Sequence, residues 1–228
     1  MSQQCTCKSG CGCSNTKSTL SFLRGDEVAV FHKKPHFVQG KFYPESVLGI
    51  YTDDDPLNPR TEYDNVGHMI CFNKRYVLGD KHDIEPEDFS EVGLRTYLIK
   101  KFKAEIIMPL YILDHSGLWI STGRYECDSA GWDTSFVGYI YCTKKEIAHE
   151  WGDTPEGYEK ARSYLEGEVK DYNDYLSGNC YGYIEYAPDE NGDWQDGDSC
   201  WGFLGDYKYI LQETGYDEKD EIMVKRRY

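Results

Sequence analysis

Apolar residues recur every three or four positions between Thr154 and Gly178, which is the clearest periodic stretch of the chain. This spacing predicts an α-helix with one apolar face. Thr154 suits the N-cap, Pro155 the first helical position and Gly178 the helix end. The predicted buried stripe consists of Tyr158, Ala161, Leu165, Val169, Tyr172 and Leu176. The acidic residues predicted to face water on the other side are Glu159, Glu166 and Asp174.

Outside this helix the apolar pattern favours short strands separated by polar turns. The β-rich runs are EVAVFHKK, GHMICF, EIIMPLYIL, LWIST, FVGYIYC, SCWGFLG and YKYILQE. Pro109 interrupts one of them and is predicted to lie at a sheet edge or a bulge. A second helix is predicted between Glu85 and Lys103, where acidic residues come first and basic residues last, as the helix dipole prefers.

The order of these elements predicts the fold class. Strands and helices intermingle without regular βαβ alternation, so we expect an α+β fold. The expected arrangement is a single domain over residues 20–228, with a mainly antiparallel sheet and two principal helices. Residues 1–19 are small, polar and cysteine-rich, and they predict a disordered or metal-ordered tail.

The tail contains the strongest local signal for metal chemistry. In CTCKSGCGC, two Cys-x-Cys pairs lie within nine residues, separated by small and polar residues. Such spacing lets four thiolates converge on one soft ion without a preformed fold. The sequence therefore predicts a zinc site, with an unstructured tail as the alternative. The predicted ligands are Cys5, Cys7, Cys11 and Cys13.

The charge of the chain is unevenly distributed. The net charge is −15, and residues 150–221 hold 20 Asp or Glu against 5 Lys or Arg, so the other residues balance. A surface that follows a phosphate backbone needs basic side chains, so this region disfavours nucleic-acid binding. Two alternatives follow, a solubilising surface or a surface that meets a basic partner. The candidate contact residues are Glu159, Glu166, Asp174, Asp193 and Asp196.

The cellular compartment is predicted from two signals that the sequence does not contain. No run of about 18 apolar residues occurs, and the N-terminus lacks the basic-then-apolar pattern of a secretory signal. We therefore expect a protein that does not enter the membrane and stays in the cytoplasm. Its nine cysteines are then expected to be mostly reduced.

A polar segment between two β-rich runs is the candidate catalytic site. It contains Asp114, His115, Asp128 and Asp133. Carboxylate and imidazole groups suit hard or borderline metal ions, which would make this a metal-dependent site. Further ligands are available in the preceding segment, namely His68, Asp80 and His82.

Two other interpretations of this segment are weighed. A Ser–His–Asp triad is disfavoured, because adjacent His115 and Ser116 project to opposite sides of an extended strand and no Gly-x-Ser-x-Gly elbow occurs. The alternative to catalysis is structural. In that interpretation Asp114, Ser116 and Gly117 shape a turn, His115 is a structural histidine with satisfied hydrogen bonds, and Asp128 and Asp133 cap loops.

Several phrases, in the same order, resemble a family of uncharacterised proteins of bacteriophages, prophages and other mobile elements. They are EYDN, CFNKRYVLGDKHD, PLYILDHSG, GWD followed by VGYIY, DYNDYLSGNCYGY and DSCWGF. The resemblance covers residues 60–206 and omits the cysteine-rich tail. Where members of the family have WDSGQ, this chain has WDTSF at residues 132–136. The resemblance implies a phage accessory origin and supplies no catalytic residues.

The sequence leads to two main hypotheses for function, and to a third in which the protein buffers metal or takes part in redox chemistry through its cysteine-rich tail. The first is a small acidic phage or mobile-element accessory protein that binds a host macromolecule, such as a component of host defence. Its expected partner is a host protein, and its expected location is the host cytoplasm. The alternative is a metal-dependent hydrolase or nucleotide-processing enzyme that uses the region from Asp114 to Asp133 and takes a small-molecule substrate.

Overall fold

A computed structural model describes residue 20 and residues 22–38, 41–85, 90–128 and 131–224. The predicted tail and its ligands Cys5, Cys7, Cys11 and Cys13 lie outside the described residues. The described residues fall into two compact units. The first unit comprises the residues up to Asp54 and those from Cys180 onward, and the second runs from Asp55 to Asn179.

The helices and strands are numbered here in chain order. They are β1 (Ala29–Lys33), β2 (His36–Val38), β3 (Lys41–Tyr43), β4 (Ser46–Thr52), α1 (Pro59–Glu62), β5 (His68–Cys71), α2 (Glu91–Phe102), β6 (Ala104–Asp114), β7 (Leu118–Ser121), β8 (Thr134–Thr143), α3 (Lys144–Glu150), α4 (Pro155–Ser177), β9 (Cys180–Pro188), β10 (Trp194–Leu204), α5 (Lys208–Thr214), a 3₁₀ helix (Glu218–Asp220) and β11 (Glu221–Val224).

The first unit is built on a five-stranded antiparallel sheet in the order β10-β9-β4-β1-β11. Helix α5 packs Ile210 and Leu211 against one face, where they meet Phe31 and Leu48. Phe22, from the chain before β1, belongs to the cluster on the other face. The β9–β10 hairpin therefore forms one edge of a sheet that is held by apolar packing on both faces.

The second unit has three layers. Its sheet has the order β5-β8-β6-β7 with antiparallel pairing. Helix α2 covers one face, where Leu98 packs with Tyr141. Helices α3 and α4 cover the other, where Leu165 packs with Ile140 and Met108. Apolar residues that alternate along β6 and β8 can therefore be buried on both sides of the sheet.

A buried guanidinium joins the short helix α1 to the rest of the second unit. The side chain of Arg60 is 1% exposed, and all five of its N–H groups donate hydrogen bonds. Nε and Nη2 donate to the Asp80 carboxylate at 2.9 and 3.0 Å, and Nη2 also donates to the Gly67 carbonyl at 2.7 Å. Nη1 donates to Asn65 at 3.0 Å and to Glu168 at 2.7 Å.

Glu168 completes this network from helix α4. Its side chain is 6% exposed, and its Oε1 accepts the backbone N–H groups of Val66 and Gly67 at 2.8 and 2.9 Å. A Cβ atom at Gly67 would lie 2.4 Å from Leu165 and 2.7 Å from the Glu168 carboxylate. Only glycine therefore fits where the 65–67 segment meets α4.

The structure confirms the α+β class and its antiparallel sheets, whereas the count of two principal helices is not confirmed, since five α-helices lie in the described ranges. The single domain over 20–228 stays a prediction, with two compact units inside it.

Helix α4 begins and ends as predicted. Thr154 Oγ1 accepts the Gly157 N–H at 3.2 Å, and Gly178 ends the helix in the left-handed region with φ 71°.

Other local predictions had mixed outcomes. Pro109 lies beside a register shift of β6, which falls between Leu110 and Tyr111. Strand β7 pairs with β6 only from Tyr111 onward. Both observations confirm the predicted position of Pro109 at a bulge or a sheet edge. The run YKYILQE is wrong as a strand because it forms most of helix α5. None of the helices in the described ranges is both long enough and apolar enough to span a membrane.

The prediction that Asp174 faces water is wrong. The residue is 7% exposed, and its Oδ2 accepts a hydrogen bond from Lys170 Nζ at 2.8 Å. Asp174 lies near the end of α4, next to the buried stripe. Lys170, one helical turn earlier, supplies the compensating charge that burial of a carboxylate requires.

Replacing Arg60 by Met should destabilise the protein by about 3–5 kcal/mol, because Glu168 and Asp80 lose the cation that offsets their desolvation. Urea denaturation followed by circular dichroism measures the change. Lys144→Met is the matched control, because its ion pair with Asp153 at 2.9 Å is exposed on both sides and should barely move the midpoint. Equal effects of the two substitutions would contradict a central role for Arg60.

Candidate functional site

Three of the four predicted catalytic candidates meet at one end of the four-stranded sheet. Asp114 ends β6, and its backbone N–H donates to the Asp133 carbonyl at 3.0 Å. His115 follows in the turn, and its Nδ1 lies 2.9 Å from Asp133 Oδ2. Both side chains are accessible, with 70% and 42% of their surface exposed. A strand pairing therefore forms a His–Asp pair from residues 18 positions apart.

Asp114 makes a different set of contacts. Its Oδ2 lies 2.6 Å from Arg75 Nη1, and its Oδ1 accepts a hydrogen bond from the Tyr76 hydroxyl at 3.2 Å. Arg75 and Tyr76 come from the 72–85 segment, where the Asn73 side chain accepts both of their backbone N–H groups at 2.8 and 3.0 Å. Asp114 therefore anchors a loop through a cation and a hydroxyl.

Asp128 stabilises the loop before β8. Its carboxylate accepts the backbone N–H groups of Trp132, Asp133 and Thr134 at 3.1, 2.9 and 2.7 Å. Desolvation alone would raise the pKa of Asp128, but hydrogen bonds from Thr134, Trp132 and Asp133 lower it below its ordinary value. These contacts agree with the structural interpretation of the sequence, in which Asp128 caps a loop. Ser116, with φ 56°, lies in the left-handed region that tight turns use.

The additional candidate ligands are dispersed over the second unit. His68 Nε2 lies 2.8 Å from Glu146, and Asp80 belongs to the Arg60 network. His82 Nε2 lies 3.0 Å from the Cys71 carbonyl, and its Nδ1 accepts the Ile84 N–H at 3.4 Å. Within the part of the chain that the structure describes, no three His, Cys, Asp or Glu side chains are placed to hold a metal ion.

A groove of about 1080 Å³ lies next to the polar cluster. It is lined by residues 71–78, 80–85 and 135–137, with Phe72, Tyr76 and Phe136 as its aromatic walls. Arg75 and Tyr76 belong to both the groove and the contacts of Asp114. Asp114, the residue before His115, therefore contacts two lining residues of a depression large enough for a small molecule.

The predicted contact residues lie on two different elements. Glu159 and Glu166 are exposed on helix α4. Asp193 is exposed in the turn before β10, and Asp196 lies on β10 with 64% of its side chain exposed. An exposed ion pair joins Asp196 to Arg24 at 3.3 Å. Four of the five predicted contact residues are thus accessible, and Asp174 is the exception.

The sequence analysis missed Arg60 and Glu168. A usable signal existed for Glu168, because helical spacing places it on the buried stripe beside Leu165 and Tyr172, where a charged residue needs a partner. Arg60 gave no comparable signal. The position of Cys200 beside Trp201 in the run SCWGFLG favours packing in the core, but the residue is exposed on β10.

Comparisons with known protein families, curated proteins and solved structures found no match for this chain.

Replacing Asp128 by Ala should speed hydrogen exchange at the amides of Trp132, Asp133 and Thr134, because the carboxylate that accepts them is removed. Since its pKa is lowered in the folded state, protection should hold at neutral pH and disappear as pH falls through that lowered pKa. Amide exchange measured by NMR checks both. Asp133→Ala, which leaves the three hydrogen bonds in place, should preserve protection. Unchanged exchange in Asp128→Ala would contradict the capping role.

Proposed function

We propose that the protein acts by binding a basic macromolecule through the β9–β10 hairpin. The observation that supports this most is the charge of residues 180–204, which contain six Asp or Glu and no Lys or Arg. These residues are folded into a hairpin at the edge of a sheet, so their carboxylates are held on one rigid element. A concentrated field of one sign steers an oppositely charged partner and accelerates association.

Exposure of β10 supports this proposal. Every residue from Gln195 to Trp201 is exposed, and so are Asp189, Glu190 and Asp193 in the preceding turn. Asp189 accepts the backbone N–H groups of Asn191 and Asp193, both at 2.9 Å, which fixes the turn. The hairpin therefore presents its charge on an ordered surface.

Trp201 gives the surface an aromatic anchor. Its side chain is 44% exposed, and a Cβ atom at Gly182 would lie 2.2 Å from its ring, so the ring lies directly on the backbone of β9. Partly exposed tryptophans that are held in place are typical centres of protein interfaces. Charge would set the association rate, and Trp201 would contribute to the lifetime of the complex.

The backbone of β10 favours recognition by side chains over addition of a strand. Its pairing with β9 shifts register between Asp196 and Ser199 and again between Cys200 and Phe203. Such irregularities interrupt the regular row of hydrogen-bonding groups that an added strand would need. We therefore expect a folded basic surface as the partner rather than an extended peptide.

The resemblance to phage and mobile-element proteins makes a host protein the proposed partner and the host cytoplasm the proposed location. An anti-defence factor fits this scheme, because blocking a host protein requires only tight binding. The acidic hairpin offers no surface for direct contact with nucleic acid phosphates.

Neutralising the hairpin should slow association with the partner. We expect Asp193→Asn, Asp196→Asn and Asp198→Asn together to slow association by about tenfold or more, since steering depends on these charges. The partner is first captured from a bacterial lysate with wild-type protein and identified by mass spectrometry. Its association rate is then measured by surface plasmon resonance at low and high salt.

The matched control replaces Glu156, Glu159 and Glu166 of helix α4 by Gln, which removes the same charge from another exposed acidic surface. This variant should associate at the wild-type rate. If it alone loses the partner, the contact surface is α4, as the sequence had also allowed. If neither variant nor salt changes the rate, docking by charge is wrong.

A second candidate function is supported by the His115–Asp133 pair. An imidazole whose Nδ1–H donates to a carboxylate leaves Nε2 available as a general base. Among the described residues, Asp133 is the only side chain that hydrogen-bonds to the ring, so water is the nucleophile that this site could activate. The proposed activity is hydrolysis of a substrate bound in the adjacent groove, with any metal supplied together with the substrate.

If this pair is catalytic, His115→Ala should reduce hydrolysis by about 10²–10⁴-fold, the usual contribution of general acid–base catalysis. Its melting temperature should not change, because the side chain is 70% exposed. Wild-type protein is assayed against phosphate and carboxylic esters with and without divalent ions. His149→Ala is the control, because His149 also contacts a carboxylate, Glu150, at 2.7 Å. Absence of wild-type activity, or an equal loss in both variants, would dismiss this role.

A further inference from the structure

A crevice in the second unit lies beside the Arg60 network and shares only Asp80 with the lining of the groove. It consists of two adjoining depressions of about 520 and 420 Å³, which share Tyr63, Asp64, Asn65 and Tyr164. One wall is the segment after α1, and the other is helix α4. We call it the tyrosine crevice.

Two tyrosine rings line the crevice and remain accessible. Tyr63 is 41% exposed and Tyr164 is 43% exposed. The Tyr164 ring packs against Trp151 with 5.3 Å between ring centroids. Asn65 Nδ2 donates to the backbone carbonyls of Tyr63 at 2.9 Å and of Pro59 at 2.6 Å, which holds the Tyr63 backbone in place. The Tyr164 ring is therefore held by packing, and the backbone at Tyr63 is held by hydrogen bonds.

The floor of the crevice is rigid. Arg60 and Glu168 line it, and each is satisfied by the hydrogen bonds described above. Because all five guanidinium N–H groups are already used, Arg60 has none left for an anionic ligand. The chemistry offered to a ligand is therefore set by the walls.

The walls are acidic. Five carboxylates and two basic side chains line the two depressions, a net charge of −3 with His68 neutral. Asp64 and Asp171 accept no hydrogen bond and form no ion pair with any described residue. Desolvation raises the pKa of Asp171, the neighbouring Lys170 partly offsets this shift, and Asp174 adds to it. Burial also raises the pKa of Tyr164, and the carboxylates of Glu168, Glu150, Asp171 and Asp64 add to the shift. Tyr164 therefore lies in a negative field.

We propose that the tyrosine crevice binds an organic cation, namely an ammonium or guanidinium group carried on an aliphatic chain. Aromatic faces attract such cations, and the attraction grows where water is partly excluded. Asp64 and Asp171 supply the opposite charge, and the rings cover the aliphatic chain. The volume suits one long basic side chain or a short polyamine. This site goes beyond the β9–β10 hairpin and depends on none of its residues.

Isothermal titration with three probes tests the proposal. They are spermidine, Nα-acetyl-lysine N-methylamide and the uncharged Nα-acetyl-norleucine N-methylamide. We expect the two cations to bind and the norleucine compound not to bind. Binding of spermidine alone would identify a free polyamine as the ligand, and binding of the lysine compound alone would identify a protein side chain.

Variants separate the crevice from general attraction to an acidic protein. Asp64→Asn with Asp171→Asn should weaken cation binding at least about fivefold, and Tyr164→Leu should weaken it further by removing one ring. Lys160→Gln should strengthen binding, because it removes a basic group from the same wall. Glu159→Gln, exposed on α4 outside the crevice, should change nothing.

The proposal fails if neither cation binds, if the norleucine compound binds equally well, or if Glu159→Gln weakens binding as much as the Asp64 and Asp171 pair does. Far-ultraviolet circular dichroism of each variant confirms folding, which we expect because these carboxylates make no hydrogen bonds. The hairpin variant with Asp193, Asp196 and Asp198 replaced should bind the cations normally. Its result separates failure of the crevice from failure of the proposed function.

Discussion

The buried guanidinium of Arg60 is the interaction on which the second unit depends. An unpaired charge inside a protein is very costly, so every N–H group of Arg60 must have an acceptor. Those acceptors come from the 65–67 segment, from Asp80 and from Glu168, which lies 108 residues away in the sequence. One side chain thereby fixes the relative positions of α1, the strand entry at β5 and helix α4.

Both candidate sites of the second unit are built around this interaction. Asp80 accepts hydrogen bonds from Arg60 and, at 2.7 Å, from the Met69 N–H, which fixes one point of the 72–85 segment. The same segment contains Arg75 and Tyr76, which contact Asp114. On the other side, Arg60 and Glu168 form the floor of the tyrosine crevice. Because the polar groups of this network already have hydrogen-bond partners within it, the network is rigid. A ligand would therefore be bound by neighbouring side chains that are less constrained.

The acidic character of the chain has different consequences in different places. Asp128 uses its charge to hold three backbone N–H groups, and Glu168 uses its charge inside the core. Asp196 and Asp198 lie exposed on a sheet edge, where charge acts at a distance. Net charge alone therefore indicates the sign of a partner, and placement decides which carboxylates are available to meet one.

The sequence by itself determined the features that depend on neighbouring residues. The caps and buried stripe of α4, the antiparallel β-rich runs and the bulge near Pro109 all follow from local propensity and periodicity. The tertiary structure decided the rest: the Arg60–Glu168 pair, the burial of Asp174, the His115–Asp133 contact and the helical state of YKYILQE. These depend on which faces meet after folding, and a distant partner can reverse the preference of a short segment or an isolated charge.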